Sequence, residues 1–137
     1  MTSELRVDNL KGSTTGGSIN VLGEGTSATT NLQQGLCKSW VNLDGGSVDS
    51  GTDLDGVRDS FNVASHTDTG TGGVRYNFTN NMGNTDYCPH VTGINGDHLI
   101  STQGDVAASS CRFGHYNQSN GLTDPGFSSH SAVGDLA

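Results

Sequence analysis

The chain has 137 residues, 21 of them glycine, with a hydrophobic share of 31%, so any core is thin, because an ordered glycine loses backbone entropy and buries no side chain. Fourteen acidic against 6 basic residues give a net charge of −8. The basic residues Arg6, Lys11, Lys38, Arg58, Arg75 and Arg112 are scattered, which excludes the phosphate-neutralising cluster that nucleic-acid binding needs. No run approaches the ~18 apolar residues of a membrane span, so neither nucleic acid nor membrane is an expected partner.

In chain order, the start Met1-Thr2-Ser3-Glu4-Leu5 lacks the basic and apolar regions of a secretory signal, which predicts a soluble protein made in a cytoplasm. Leu5 and Val7 alternate, Leu10 follows, residues 11–17 form a Gly/Ser/Thr link, and Ile19 to Leu22 is a second brief strand. These hydrophobes are too few for a core and must dock on a neighbour. Residues 1–35 are therefore read as an extended attachment and assembly arm carried by Leu5, Val7, Leu10, Ile19 and Val21, and residues 36–137 as a β domain. Ser27 to Leu36 has the pattern of a turn or two of helix, weakened by Thr29 and Thr30 and stopped at Gly35.

From Leu36 onward the period is two. Leu36 to Leu43, around Trp40, and Phe61 to Ala64 are strand candidates, and Val74 to Thr79 is the clearest strand in the chain. Tyr87 to Thr92 reads as an edge strand, because Pro89 cannot donate to a ladder. Residues 100–130 are poorly patterned and read as a long surface-loop region, within which Cys111 to His115 alternates weakly. A last short strand runs through His130 to Val133. Turn clusters separate these runs, among them Asp55-Gly56, Thr67 to Gly73, Asn95-Gly96 and Asn120-Gly121, which supply the positive φ of tight turns. The expected fold is all-β: a small antiparallel β-sandwich or partly open barrel, with a core of Trp40, Val41, Phe61, Val63, Val74, Tyr76 and Phe78.

Candidate chemistry is sparse. Cys37, Cys88 and Cys111 are odd in number and lack CxxC spacing, so free thiols are expected. Cys88-Pro89-His90 sets two ligand types two apart, but no second pair has zinc-site spacing. His66, His90, His98, His115 and His130 are accordingly read as surface or interface residues, with stacking of His115 or His130 across a threefold axis as the sharper alternative. Asp49, Asp53, Asp55 and Gly56 faintly resemble a calcium loop. Aligned on Gly56, however, Gly51 and Asn62 fall where the first and last acidic ligands belong, so a solvated acidic loop is expected. Ser65-His66 is no triad, and no phosphate-cradling motif occurs. Asn77 and Asn117 stand in glycosylation acceptor patterns that matter only after export. Tyr116 and Phe127 are the aromatics available for sugar contact. No catalytic residue, cofactor or metal is expected.

Two stretches carry a resemblance. Gly35 to Gly45 holds Lys38-Ser39-Trp40-Val41-Asn42-Leu43-Asp44-Gly45, and Val57 to Ser65 holds Ser60-Phe61-Asn62-Val63. The pattern continues through Asp68-Thr69-Gly70-Thr71-Gly72 into Asn77-Phe78-Thr79 and Asn84 to Cys88. Together they resemble a module of tailed-phage tail-fibre and related virion proteins, common in marine phages. Leu5 to Lys11 resembles the attachment segment that often precedes it, and Val133 to Ala137 a common ending. The stretch 47–55 is an insertion relative to that pattern, and Leu43 stands where an aromatic is common. The resemblance implies a non-enzymatic virion protein, usually a homotrimer, with other tail or capsid proteins as partners. A tail-fibre or tail-appendage subunit is the leading expectation. A capsid decoration or head-fibre protein is the alternative, and a module binding host surface glycans through residues 95–120 is a third.

Overall fold

A computed structural model describes residues 4–14, 19–22, 29–44, 54, 56–94 and 100–137. The acidic loop at Asp49, Asp53 and Asp55, the Asn95-Gly96 turn and His98 lie outside the described residues. The chain divides into two compact units, residues 1–36 and 37–137.

In the first unit, β1 (Asn20–Leu22) pairs antiparallel with β2 (Thr29–Asn31), setting Val21 opposite Thr30. A single helical turn, α1 (Leu32–Gly35), follows, and Asn31 caps it by accepting from Gln34 N at 3.1 Å. Of the turn or two of helix expected between Ser27 and Leu36, the described residues show one, ending at Gly35 as expected. The β-branched Thr29 and Thr30 are stiff at χ1 and enter the ladder instead. Leu5, Val7, Leu10 and Val21 are exposed and Ile19 is half-buried.

The second unit holds β3 (Cys37–Leu43), β4 (Val57–Phe61), β5 (Val63–Asp68), β6 (Gly73–Phe78), β7 (Cys88–Ile94), β8 (Ile100–Ala107), β9 (Ser110–Tyr116) and β10 (Phe127–Val133). They form two four-stranded antiparallel sheets, ordered β4-β3-β10-β7 and β5-β6-β9-β8. Neither closes into a barrel, so the architecture is a small β-sandwich. Pro89 lies in β7, at a sheet edge, the position in a sheet where a residue without an N–H is tolerated. The stretch 100–130 is not all loop: β8 and β9 form a hairpin within it. The sequence of β8 hides the strand because a register shift between Gln103 and Val106 spans Gly104 and Asp105 and breaks the alternation.

The sheets meet through Val41, Leu43 and Ala132 on one side and Val63, Val74, Tyr76, Phe78, Cys111 and Phe113 on the other, all buried in one cluster. Met82 and Tyr87, between β6 and β7, complete it. Met82 pairs with Leu136, and Gly83 N donates to Asp135 O at 2.7 Å, so the last residues close one end of the domain. The Tyr87 hydroxyl lies 3.0 Å from Ala107 O and 2.9 Å from Ser110 O and ties the β8–β9 turn to this end.

Two expected core residues are not there. Trp40 is 36% and Phe61 51% exposed. Adjacent strand residues point to opposite faces, so Trp40 and Val41 cannot both point inward from β3. Val41 and Leu43 take the core face, and Trp40 takes the outer one. For Phe61 and Val63 the cause is Asn62, which stands between β4 and β5 at φ 57°. There the chain leaves one sheet for the other, and a pair two apart no longer shares a face. The Asn62 amide is fully used: Nδ2 donates to Lys38 O at 2.9 Å and to Asn80 O at 3.0 Å. Its Oδ1 accepts from Asn80 N at 2.7 Å and from Asn80 Nδ2 at 3.2 Å. A short amide side chain tolerates positive φ and bonds locally, which suits asparagine to this corner.

Candidate functional site

Two features of the sandwich stand out, one inside and one on its surface. Inside, three histidines occupy core positions. His66 and His115 are 0% exposed and His130 is 5% exposed, contrary to the surface or interface placement expected. On β10, Ser128, His130 and Ala132 alternate inward, and on β9, Cys111, Phe113 and His115 do the same. The His130 ring stands 4.4 Å from both the Tyr76 and the Phe113 rings and 5.8 Å from that of His115, centroid to centroid. Its Nε2 is 2.7 Å from Ser128 Oγ, and its Nδ1 has no partner. The Tyr76 hydroxyl faces Ser128 but meets no partner in hydrogen-bonding geometry.

His115 is held by the β5–β6 turn. Its Nδ1 is 3.1 Å from Gly72 O, a carbonyl that only accepts, so Nδ1 carries the proton and Nε2 is a bare acceptor without a partner. Gly72, at φ 71°, leaves no room for a side chain, since a Cβ would stand 2.6 Å from His115 O. Asp124 Oδ1 accepts from Gly72 N at 2.6 Å. His115, Asp68 and Asp124 line one cavity of about 20 Å³. On the other side the ring lies against Gly93 of β7, where a Cβ would be 3.2 Å from His115 Cδ2. Burial lowers the His115 pKa, partly offset by Gly72 O and Asp124. Burial also holds His130 well below the usual histidine range, and His115 pushes it the same way.

On the surface, the outer face of the β4-β3-β10-β7 sheet carries an aromatic pair. Trp40 is opposite Phe61 on β4 and Ser131 on β10, and Ser131 is opposite His90 on β7. Directly opposed residues share a face, so these four form one row across the sheet. A second row sets Ile94, 63% exposed, opposite Phe127, whose ring lies 5.5 Å below the Arg58 guanidinium. Arg58 is itself bonded to Asp44 at 2.9 Å.

The remaining candidates resolve individually. Cys88 Sγ and His90 Nε2 are 3.7 Å apart at the surface, but no group of three metal-ligating side chains occurs among the described residues. Cys37 and Cys88 are exposed and Cys111 is buried, all unbridged. Burial pushes the Cys111 thiol up to about 12, which keeps it protonated and unreactive. His66 has no hydrogen-bond partner at either ring nitrogen, so Ser65 and His66 form no nucleophile–base pair. Asn77 is half-buried with its Nδ2 donating to Ser65 Oγ at 3.0 Å, and the Asn117 side chain is bonded to Ser119 N and Gly121 N within its own turn. Tyr116 and Phe127 are half-buried. No helix among the described residues is long and apolar enough to cross a membrane. What the described residues offer is an aromatic contact surface over a core rich in imidazole. Compared with protein-family models, with curated proteins and with solved structures, the chain matches none.

Proposed function

We propose that this chain is a non-enzymatic structural subunit of a tailed-phage virion, a tail-fibre or tail-appendage component that assembles as a homotrimer. The observation that carries the reading is the Trp40–Phe61 pair, presented outward on β3 and β4 inside the stretch that resembles virion modules. An exposed Trp–Phe pair is a natural interface anchor, since aromatic residues dominate binding energy at the centre of interfaces. The glycine-rich chain and its imidazole-containing core support the same reading, because a subunit with little apolar burial of its own gains stability from its neighbours. The exposed hydrophobes of residues 1–36, Leu5, Val7, Leu10 and Val21, supply an attachment arm to the rest of the particle.

The test is quantitative mass spectrometry of purified particles from a phage that encodes the chain. Tens of copies or fewer per particle are expected for a fibre. Hundreds would transfer the chain to capsid decoration, and absence from particles would end the virion assignment. Light scattering on the isolated protein tests the assembly itself: three copies are expected, and the double variant W40S/F61S should be monomeric while keeping its β circular dichroism.

A further inference from the structure

We propose that the His115–His130 pair is an acid-sensitive latch that holds the two sheets together while both rings are neutral and releases them when they take up protons. The geometry carries this. His130 projects from β10 of one sheet into rings of the other, Tyr76 on β6 and Phe113 and His115 on β9. Both imidazoles are inside the sandwich, and each already commits one nitrogen. A protonated His115 would carry a second N–H on Nε2, and a protonated His130 one on Nδ1, and neither atom has an acceptor. A buried unpaired donor is costly and a buried unpaired charge more so. Two imidazolium ions with centroids 5.8 Å apart would also repel.

The groups around the pair do not compensate fully. Around His130 stand Tyr76 of β6, Cys111 and His115 of β9 and Ser128 of its own strand. The titratable ones among these neighbours, Tyr76, Cys111 and His115, bear no negative charge near neutrality, since burial keeps the Tyr76 hydroxyl and the Cys111 thiol protonated. Gly93 and Val91 of β7 and Val41 of β3 contribute no charge. Around His115 stand Asp124 and, lining the same small cavity, Asp68 of β5. Asp124 favours a charged His115, which makes His130 the primary trigger.

The direction in pH follows from the lowered affinity of the folded state for protons. Unfolded histidine binds its proton near pH 6.5. Below that value the unfolded chain holds more protons than the native one, so stability is full above about pH 7 and falls as the pH drops through about 6.5. One imidazole kept neutral raises the unfolding equilibrium constant about 30-fold between pH 7.5 and 5, and two raise it about 1,000-fold.

The experiment is urea unfolding of the full chain at pH 7.5 and at pH 5, beside the variant H130M. The wild type should lose at least the 30-fold factor, and the variant should lose about 30-fold less than the wild type. Equal pH dependence in both proteins would overturn the latch. Because H130M can fail to fold, the histidine ring protons of the native wild type are followed by NMR in parallel. A His130 signal that stays unshifted while the protein remains folded supports the latch, and one titrating between pH 6 and 7 in the folded protein overturns it.

Discussion

The two sheets of the sandwich spend their large side chains differently. The β5-β6-β9-β8 sheet turns them inward: Val74, Tyr76, Phe78 and Phe113 are all buried. The β4-β3-β10-β7 sheet gives the core mostly smaller or polar groups, with Ser128, His130 and Ala132 on β10 and Gly93 against His115. Its largest residues, Trp40 and Phe61, and also Ile94, face outward. A chain with few hydrophobes fills its interior by nesting big rings from one sheet into small residues of the other. The aromatic surplus of the second sheet is thereby left for contact.

That contrast can be broken by substitution. Tyr76→Ala and Phe113→Ala should each cost about 3–5 kcal/mol in urea unfolding, the range for removing a buried aromatic. Phe61→Ala should cost about 1 kcal/mol and Trp40→Ala, at a residue 36% exposed, about 2 kcal/mol, at a protein concentration where the chain is monomeric. A loss at Trp40 equal to that at Tyr76 would mean that the outer face is as structural as the inner one. Asn62→Ala should cost about 2–3 kcal/mol, since it removes the amide that serves Lys38 O, Asn80 O and Asn80 N at the corner between the sheets. Asn62→Gly relieves only the positive φ and should recover a minor part of that loss.

Smaller effects sharpen the picture of the small-residue sheet. Gly93→Ala brings a methyl group to 3.2 Å from the His115 ring and should cost about 1–3 kcal/mol by overpacking. A double-mutant cycle with His115→Ala should show the penalty shrinking, because the two sites are in contact. Thiol titration reads the smallest difference. Cys37 and Cys88 should react in the folded protein and Cys111 only after denaturation, and early labelling of Cys111 would show that the core opens locally.

Legibility in the sequence followed the physics of each segment. Val74 to Phe78 was readable because large apolar and polar residues alternate without interruption, and Tyr76 and Phe78 are where the pattern put them. The edge position of Pro89 was readable from its missing N–H. β8 was not, because Gly104 and Asp105 sit at its bulge. The buried histidines were not readable, because imidazole is usually solvated and alternation puts Ser128, His130 and Ala132 on one face without saying that it is the inner one. Asn62 was visible only as a strand residue, although asparagine's tolerance of positive φ was the available signal for the corner.

The sequence by itself determined that this chain folds as antiparallel β structure with a modest core, with turns where Gly70 to Gly73 and Asn117 to Gly121 stand. Period-two patterning and positive-φ residues act locally, so they can be read locally. Only the tertiary structure decided which face of each strand is inside. Alternation offers two faces, and the choice for β3 between Val41 with Leu43 and Trp40 is settled by what the opposite sheet brings. Tyr76 and Phe113 already fill the space between the sheets, so Trp40 is turned out and His130 is held in.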